Sequence, residues 1–242
     1  MDKKLLYLHN GDTRETTAWL DDRINEAGFS VDMYWAYNSE FPERLDGYAG
    51  VVLSGSGHGA YEDIPFIHQE HEVIRDIAAR RIPTLGICFG SQILASALCG
   101  RDQVFRRSFC EVGYKWLDVH RARYPDDALT AGLDERMYMF VWHNDEVRAE
   151  HPDMAVLAST DLCPNQVWRY RDLPMWGIQG HAEITRDGAA DWFGGRRPRL
   201  EDDGADVDDL IANADDALQA KTMFSNFLAF CGEDNRALTE PT

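Results

Sequence analysis

The sequence predicts an α/β fold in which a doubly wound, mainly parallel sheet is flanked by helices and followed by a β-rich second half. In the first part of the chain, short apolar runs alternate with amphipathic segments, which is the pattern of βαβ units. Residues 112–180 instead contain strand-like runs joined by short connections. Residues 185–242 return to helical spacing, and we expect them to form a helical extension packed on a single domain of residues 1–242.

The first predicted βαβ unit opens the chain. Residues 5–8 form an apolar run that predicts the first strand, and residues 16–27 carry apolar side chains at helical spacing until Gly28 stops the helix. Residues 29–35 and 50–53 are short apolar runs that predict the second and third strands.

The next predicted unit leads to a cysteine. Residues 65–81 predict a helix with proline in its first turn, and residues 83–87 predict the fourth strand. Apolar side chains then recur at helical intervals over residues 89–98, and Gly100 closes this helix. Cys88 therefore lies where a buried strand turns into a helix.

Short strands dominate the predicted second half. The strand-like runs cover residues 112–119, 137–142, 154–158, 166–170 and 175–179. We expect this half to supply the second wall of a site. The acidic run 201–203 predicts a solvated loop before the last helical stretch, residues 210–231.

The charge of the chain restricts its partners. The 242 residues include 42 acidic and 24 basic side chains, and the formal net charge is −18. Most of this exterior would repel a nucleic acid or an anionic membrane surface, so small molecules or other proteins are the expected partners. No signal peptide or membrane span is indicated, and the five scattered cysteines lack CxxC spacing, which favours reduced thiols in a cytoplasmic protein.

The strand-to-helix junction resembles a nucleophile elbow. Gly86 and Gly90 lie two positions either side of Cys88, and glycines there let neighbouring backbone approach without a Cβ clash. Such a turn exposes the sulfur at a helix N-terminus, which favours the thiolate. The alternative interpretation is that Cys88 is a small buried apolar residue.

A thiolate of this kind needs a partner that moves protons. His181 and Glu183 follow the last predicted strand, where alternate residues share a face and both can point into one cleft. The carboxylate can orient the imidazole and stabilise its charged form, as the third member of a triad does. A histidine that is merely structural is the alternative.

These motifs, Gly-x-Cys-x-Gly-x-Gln and far downstream Gln-x-His-x-Glu, resemble the class I glutamine amidotransferase family. The similarity runs from the first strand to about residue 184 and is greatest to free-standing chains related to the amidotransferase domain of GMP synthase. The resemblance implies a flavodoxin-like, largely parallel sheet flanked by helices. It also implies a triad of Cys88, His181 and Glu183.

The resemblance assigns further residues. It places the oxyanion donors at the backbone amides of Ser56 and Phe89. It places substrate-binding positions at Gly55, Gln92, Glu111, Trp142, His143 and Asn144. The chain departs from the family pattern in three places: Ala182 replaces a usual proline, Gly57 ends a loop that more often reads Gly-Gly-Pro, and Ser91 replaces a bulkier residue, which is expected to widen the site.

The expected function is hydrolysis of the γ-amide of glutamine, or of a γ-glutamyl amide or peptide, through a cysteine γ-glutamyl thioester. An ammonia-supplying glutaminase subunit of a two-component synthetase, with a synthetase or ligase as partner protein, is one alternative. A non-catalytic binding or regulatory relative is another. A cysteine esterase of the α/β-hydrolase type is disfavoured because its acid normally precedes the histidine by many residues.

Neither a metal nor a cofactor is expected. His68 and His71 are spaced to share one helical face, but without a third ligand nearby we interpret them as a solvated face. Trp168, Trp176 and Trp192 are interpreted as packing residues. The proposed chemistry needs only thiolate, imidazole and water.

Overall fold

A single mixed sheet forms the centre of the protein, and the computed structural model describes residues 3–15 and 18–233. The strands are β1 (Lys3–Leu8), β2 (Phe29–Tyr34), β3 (Tyr48–Leu53), β4 (Thr84–Ile87), β5 (Val104–Val119), β6 (Arg136–Val147), β7 (Met154–Ser159), β8 (Val167–Tyr170) and β9 (Met175–Ile178). The helices are α1 (Ala18–Glu26), α2 (Pro65–Ala79), α3 (Phe89–Cys99), α4 (Ala189–Gly195), α5 (Arg197–Asp202), α6 (Val207–Ala212) and α7 (Leu218–Gly232).

The sheet has a parallel half and an antiparallel half. Its strand order is β2-β1-β3-β4-β9-β8-β7-β5-β6. The first five strands in this order are parallel to one another, and from β9 to β6 each pairing is antiparallel. The mainly parallel first half and the β-rich second half are as the sequence predicts. In the part of the chain described, no helix is long and apolar enough to cross a bilayer.

Helices cover both faces of the parallel half. Alternate residues of β1 point to opposite faces: Leu5 packs in the same core as α1 and α7, and Leu6 packs in the core shared with α2 and α3. The alternation explains why β1 is apolar from Leu5 to Leu8, because a strand buried on both faces has no solvent side.

The short helices α4, α5 and α6 cover one end of β6. Phe140 of β6 is fully buried against Phe193 of α4, Leu200 of α5 and Leu210 of α6. This small core fixes the segment between β9 and α7 beside the carboxyl ends of β4 and β9, where a site is expected in an open α/β sheet.

Two expectations from the sequence need correction. Strand β5 begins at Val104 rather than at 112. The sequence did not predict its first half because polar residues interrupt the apolar pattern there, and this half pairs irregularly with β6. The run 201–203 is not a solvated loop: it closes α5, and Asp203 accepts hydrogen bonds from Trp142 Nε1 at 2.7 Å and from Asn144 Nδ2 at 3.0 Å. The expected start of the first helix, residues 16 and 17, lies outside the described residues.

Candidate active site

Cys88 occupies a sharp turn between β4 and α3. Its backbone angles are φ 53° and ψ −109°, a region that side chains with a Cβ rarely adopt. The turn is held by a hydrogen bond from Cys88 N to Ile178 O of β9 at 2.8 Å. A non-glycine residue in such a conformation stores strain that the surrounding structure must compensate, and such strain clusters at active sites.

The two flanking glycines make this turn possible. A Cβ on Gly86 would lie 2.3 Å from Gly90 O, and a Cβ on Gly90 would lie 2.2 Å from Leu53 O. The first turn of α3 therefore packs directly on the backbones of β4 and β3, as expected of an elbow.

His181 and Glu183 lie beside the elbow, just beyond β9. His181 N donates to Phe140 O at 2.8 Å, so β6 helps to fix this segment. The ring atom Nδ1 lies 2.7 Å from Glu183 Oε1, and both side chains are buried. Burial lowers the pKa of His181, but the negative charges of Glu183 and of Cys88, together with hydrogen bonds to both, outweigh it and raise the pKa to about 10.

The loop after β3 packs over these groups. A Cβ on Gly55 would lie 3.7 Å from Cys88 Cβ and 3.8 Å from His181 Cε1, so the loop backbone is close to both. Ser56 follows Gly55 in this loop, and Phe89 is the first residue of α3. The structure thus brings together the three predicted triad residues and the segments that carry the two predicted oxyanion amides.

A buried network behind β3 supports that loop. Asn10 N donates to Ser54 Oγ at 2.8 Å, and Asn10 Nδ2 donates to Glu70 Oε1 at 3.1 Å. Burial raises the pKa of Glu70 to about 8, although the hydrogen bond from Asn10 opposes the shift. The sequence interpretation of residues 68–71 as a solvated helix face is correct for His68, which is exposed, and wrong for Glu70 and His71, which are buried.

An open pocket of about 370 Å³ surrounds the nucleophile. It is lined by Gly55, Ser56, Cys88, His181 and Glu183. The remaining polar and aromatic lining includes His9, Tyr37, Trp142, Trp192, Arg196 and Arg199. A thiol, an imidazole and a carboxylate in contact at one wall of such a pocket can carry out nucleophilic acyl transfer.

Four predicted substrate-binding residues do not line this pocket. Gln92 is buried and donates to Asp145 O at 3.1 Å and to Gln179 Oε1 at 3.2 Å. Gln179 Nε2 in turn lies 3.8 Å from Cys88 Sγ, so Gln92 reaches the nucleophile through a second amide. Asn144 is bound to Asp203 of α5.

Glu111 and His143 form a buried network of their own. Glu111 Oε2 accepts hydrogen bonds from Arg107 Nη1, His143 Nε2 and Gln166 Nε2, and Oε1 accepts from Thr160 Oγ1. These hydrogen bonds brace β5 against β6, and the part of the two residues in substrate binding stays a prediction.

One group of ligand-type side chains lies in that network. Atoms of Glu111, His143 and Cys163 lie within 4.8 Å of one another. The group suits hydrogen bonding rather than a cation, since Arg107 places a positive charge 3.0 Å from Glu111 Oε2 and burial raises the pKa of the Cys163 thiol.

The structure changes the interpretation of Ser91 and of Trp192. Ser91 does not widen the site: it is buried and accepts a hydrogen bond from Trp168 Nε1 at 2.8 Å. Trp192 is more than a packing residue, because it lines the pocket with its ring centroid 5.9 Å from that of His181.

Sequence reasoning missed two arginines on the pocket wall and the Asn10–Glu70 network. Arg196 and Arg199 are three residues apart around α5, and basic residues at that spacing in so acidic a segment were the available signal. For Asn10 and Glu70 the sequence offers no comparable signal, because they are far apart in the chain and meet only through the fold.

Comparisons with known proteins agree with this geometry. The family described as glutamine amidotransferase class-I matches residues 10–190. The glutamine-hydrolyzing GMP synthase of Porphyromonas gingivalis (strain ATCC BAA-308 / W83) is 33% identical over 182 residues, which cover 75% of this chain and 33% of that protein. The chain thus spans about a third of that relative's length.

Two other proteins match over a larger share of their own length. Gamma-glutamyl peptidase 4 of Arabidopsis thaliana is 29% identical over 168 residues, covering 68% of this chain and 66% of the peptidase. The crystal structure of a glutamine amidotransferase from Thermotoga maritima superposes with a TM-score of 0.82 at 25% identity, covering 96% of this chain and all of that one.

Proposed function

Because this chain belongs to the class I glutamine amidotransferase family, we propose that it hydrolyses the γ-amide bond of glutamine or of a γ-glutamyl amide or peptide. The products are glutamate and ammonia or an amine. The observation that carries the proposal is the contact between the thiol of Cys88, on its strained elbow, and the buried His181–Glu183 pair. A buried cysteine that served only packing would need neither the strain nor the charged partner.

In the proposed reaction, the thiolate of Cys88 attacks the γ-carbonyl carbon and forms a C–S bond. The carbonyl oxygen gains negative charge, and the backbone amides of Ser56 and Phe89 are proposed to stabilise it; one such donor typically contributes about 3 to 4 kcal/mol to the transition state. The C–N bond then breaks as His181 gives a proton to the departing nitrogen, which leaves a γ-glutamyl thioester on Cys88.

The second half of the reaction returns the enzyme to its starting state. His181 takes a proton from water, and the resulting hydroxide adds to the thioester carbon. Breakdown of this adduct expels the thiolate and releases glutamate. Glu183 orients the ring in both halves and stabilises its protonated form. No cofactor or metal enters these steps.

The test is hydrolysis by the isolated protein. Glutamate release should be measured with glutamine, a γ-glutamyl alkylamide and a γ-glutamyl dipeptide, for the unmodified chain and for Cys88→Ala. We expect turnover of at least one substrate, none with the alanine variant, and a γ-glutamyl adduct on Cys88 in quenched samples analysed by mass spectrometry. Hydrolysis by the alanine variant at the same rate would refute the assigned nucleophile.

A second candidate is an ammonia-supplying subunit that acts with a synthetase partner. It is favoured by the alignment with only a third of a GMP synthase, which leaves the rest of that protein without a counterpart in this chain. In that case glutamine should be the preferred substrate, and adding the partner should raise its turnover. Efficient hydrolysis of γ-glutamyl peptides by the isolated chain would favour the first candidate.

A further inference from the structure

Among the residues that the structure describes, two guanidinium groups on the wall of the pocket form no direct ion pair, unlike that of the arginine between them. Arg197, on the outer side of the same segment, pairs with Glu201 at 3.0 Å and with Asp208 at 2.6 Å. Arg196 and Arg199 line the pocket, and within the described part of the chain neither forms an ion pair.

Each of the two guanidinium groups lies over an aromatic ring. The guanidinium carbon of Arg196 lies 4.3 Å from the ring centroid of Trp192, and its Nη1 donates to Trp192 O at 3.2 Å. The guanidinium carbon of Arg199 lies 4.8 Å from the ring centroid of Trp142. Stacking of this kind fixes the plane of a guanidinium and leaves its N–H groups available for an anion.

Both tryptophans connect these arginines to the reacting groups, Trp192 through its ring and Trp142 through its backbone carbonyl. The ring centroids of Trp192 and His181 are 5.9 Å apart, and Trp142 O lies 3.8 Å from Cys88 Sγ. On the other side, a Cβ on Gly57 would lie 3.3 Å from Arg199 Nη1, so this guanidinium rests against the loop that packs over Cys88. The basic wall is therefore adjacent to the imidazole and to the glycine loop.

The position beside His181 indicates which part of a substrate faces the arginines. If the proposed function holds, His181 protonates the departing nitrogen, so the leaving amine must lie on the imidazole side of the scissile bond. We propose that Arg196 and Arg199 form a subsite for a carboxylate on the leaving amine. The preferred substrates are then γ-glutamyl amino acids or peptides, rather than glutamine or neutral γ-glutamyl amides.

The other charges of the pocket agree with this orientation. Asp12, Glu15 and Glu183 also line the pocket, and their negative charges act on Arg196. A carboxylate would be repelled there, whereas the α-ammonium group of the γ-glutamyl part would be attracted. The two arginines are thus the part of this wall where an anion is favoured.

The test compares two substrates that differ only in charge. γ-Glutamylglycine and γ-glutamylglycinamide have the same size and the same scissile bond, but only the first carries a carboxylate on its leaving group. We expect kcat/KM for γ-glutamylglycine to exceed that for the amide about tenfold or more, as a charge-assisted pair predicts. Arg196→Gln and Arg199→Gln should each remove most of this preference through KM, with the amide substrate little affected.

The matched control is Arg197→Gln, which removes a guanidinium from the same segment but outside the pocket. It should keep the preference of the unmodified chain. Equal hydrolysis of both substrates would overturn the subsite. So would equal losses for both substrates in the arginine variants, because the arginines would then serve the γ-glutamyl part or the shape of the pocket.

Failure of the subsite can be told apart from failure of the proposed function. If neither of these substrates nor glutamine is hydrolysed, the proposed function fails. Binding of the two compounds to Cys88→Ala, measured by calorimetry, then decides the subsite without turnover: tighter binding of γ-glutamylglycine that is lost in Cys88→Ala/Arg199→Gln supports it. Equal binding of the two compounds, or binding of neither, overturns it.

Discussion

Nδ1 of His181 lies 2.7 Å from Oε1 of Glu183, two residues further along the same segment, and both side chains are buried. This contact fixes the orientation of the ring, so that the other ring nitrogen, Nε2, is available to exchange a proton with the thiol of Cys88. Burial alone would lower the pKa of His181, and the carboxylate is the largest of the opposing influences that bring it to about 10. The pair therefore keeps an acid in the site at neutral pH.

Glu183→Gln should move the alkaline limit of activity to lower pH. The step that protonates the leaving nitrogen needs the imidazolium, which is present below the pKa of His181 and lost as the pH rises through it. Removing the negative charge lowers that pKa, so the alkaline limb of kcat/KM should shift down, with a loss of roughly 10²- to 10⁴-fold at the optimum. A pH–rate profile checks this, with Glu72→Gln, an exposed site on α2, as control. An unchanged alkaline limb would contradict the role of Glu183.

Cys88→Gly should be more stable than Cys88→Ala. Both variants remove the thiol, but at φ 53° and ψ −109° only glycine avoids a steric penalty. The difference in the free energy of unfolding should be about 1 kcal/mol or more in favour of glycine, measured by urea denaturation. Neither variant should hydrolyse γ-glutamyl substrates. A more stable alanine variant would mean that the elbow is not strained.

The closeness of the three predicted triad residues could be predicted from the sequence because each of them belongs to a short local pattern. Cys88 follows an apolar run and precedes helical periodicity, and both flanking glycines are within two residues, so the elbow needed no long-range information. His181 and Glu183 alternate at the end of a strand-like run. A strand period of two predicts them on one side, and the structure has both just beyond β9 with their side chains in contact.

The supporting residues could not be found in this way. Gln92 and Glu111 match family positions, but whether a side chain meets substrate or another protein group depends on contacts such as those from Gln179 and Arg107. The same holds for Glu70, which the helical pattern placed near solvent and the fold places under Asn10. Periodicity gives the face of an element, whereas the partner of a buried polar group is decided by packing between elements.

Gly90→Ala should disrupt the start of α3. A Cβ there would lie 2.2 Å from Leu53 O, and neither backbone can move without displacing the elbow or β3. We expect a loss of about 3 kcal/mol or more in the free energy of unfolding and a loss of hydrolysis. Gly194→Ala is the matched control, because this helical glycine has nothing within 4 Å of its Cβ position and should gain up to about 1 kcal/mol. Similar effects at both sites would contradict the close packing of α3.

Glu70→Gln should stabilise the protein increasingly as the pH rises. Burial raises the pKa of Glu70 from an ordinary 4.5 to about 8, so the folded state resists ionisation of this group. The favourable contribution of the neutral carboxyl is complete below about pH 4.5 and is lost as the pH rises through about 8. A glutamine can still accept the hydrogen bond from Asn10 but does not ionise. Since Glu70 Oε2 has no hydrogen-bond partner in the described part of the chain, its replacement by an amide nitrogen breaks no existing contact.

The gain of the glutamine variant should therefore be small at about pH 5 and approach on the order of 4 kcal/mol at about pH 9. Urea unfolding of both proteins over this pH range measures the gain. Taking the difference between their free energies of unfolding removes the contributions of the other titrating groups. Glu72→Gln on the exposed side of α2 should show no such trend. A constant difference between Glu70→Gln and the unmodified chain at all pH values would show that Glu70 ionises as readily in the folded protein as in the unfolded one. The carboxyl would then be hydrated, and the Asn10–Ser54 network would not exclude water from the loop that packs over Cys88.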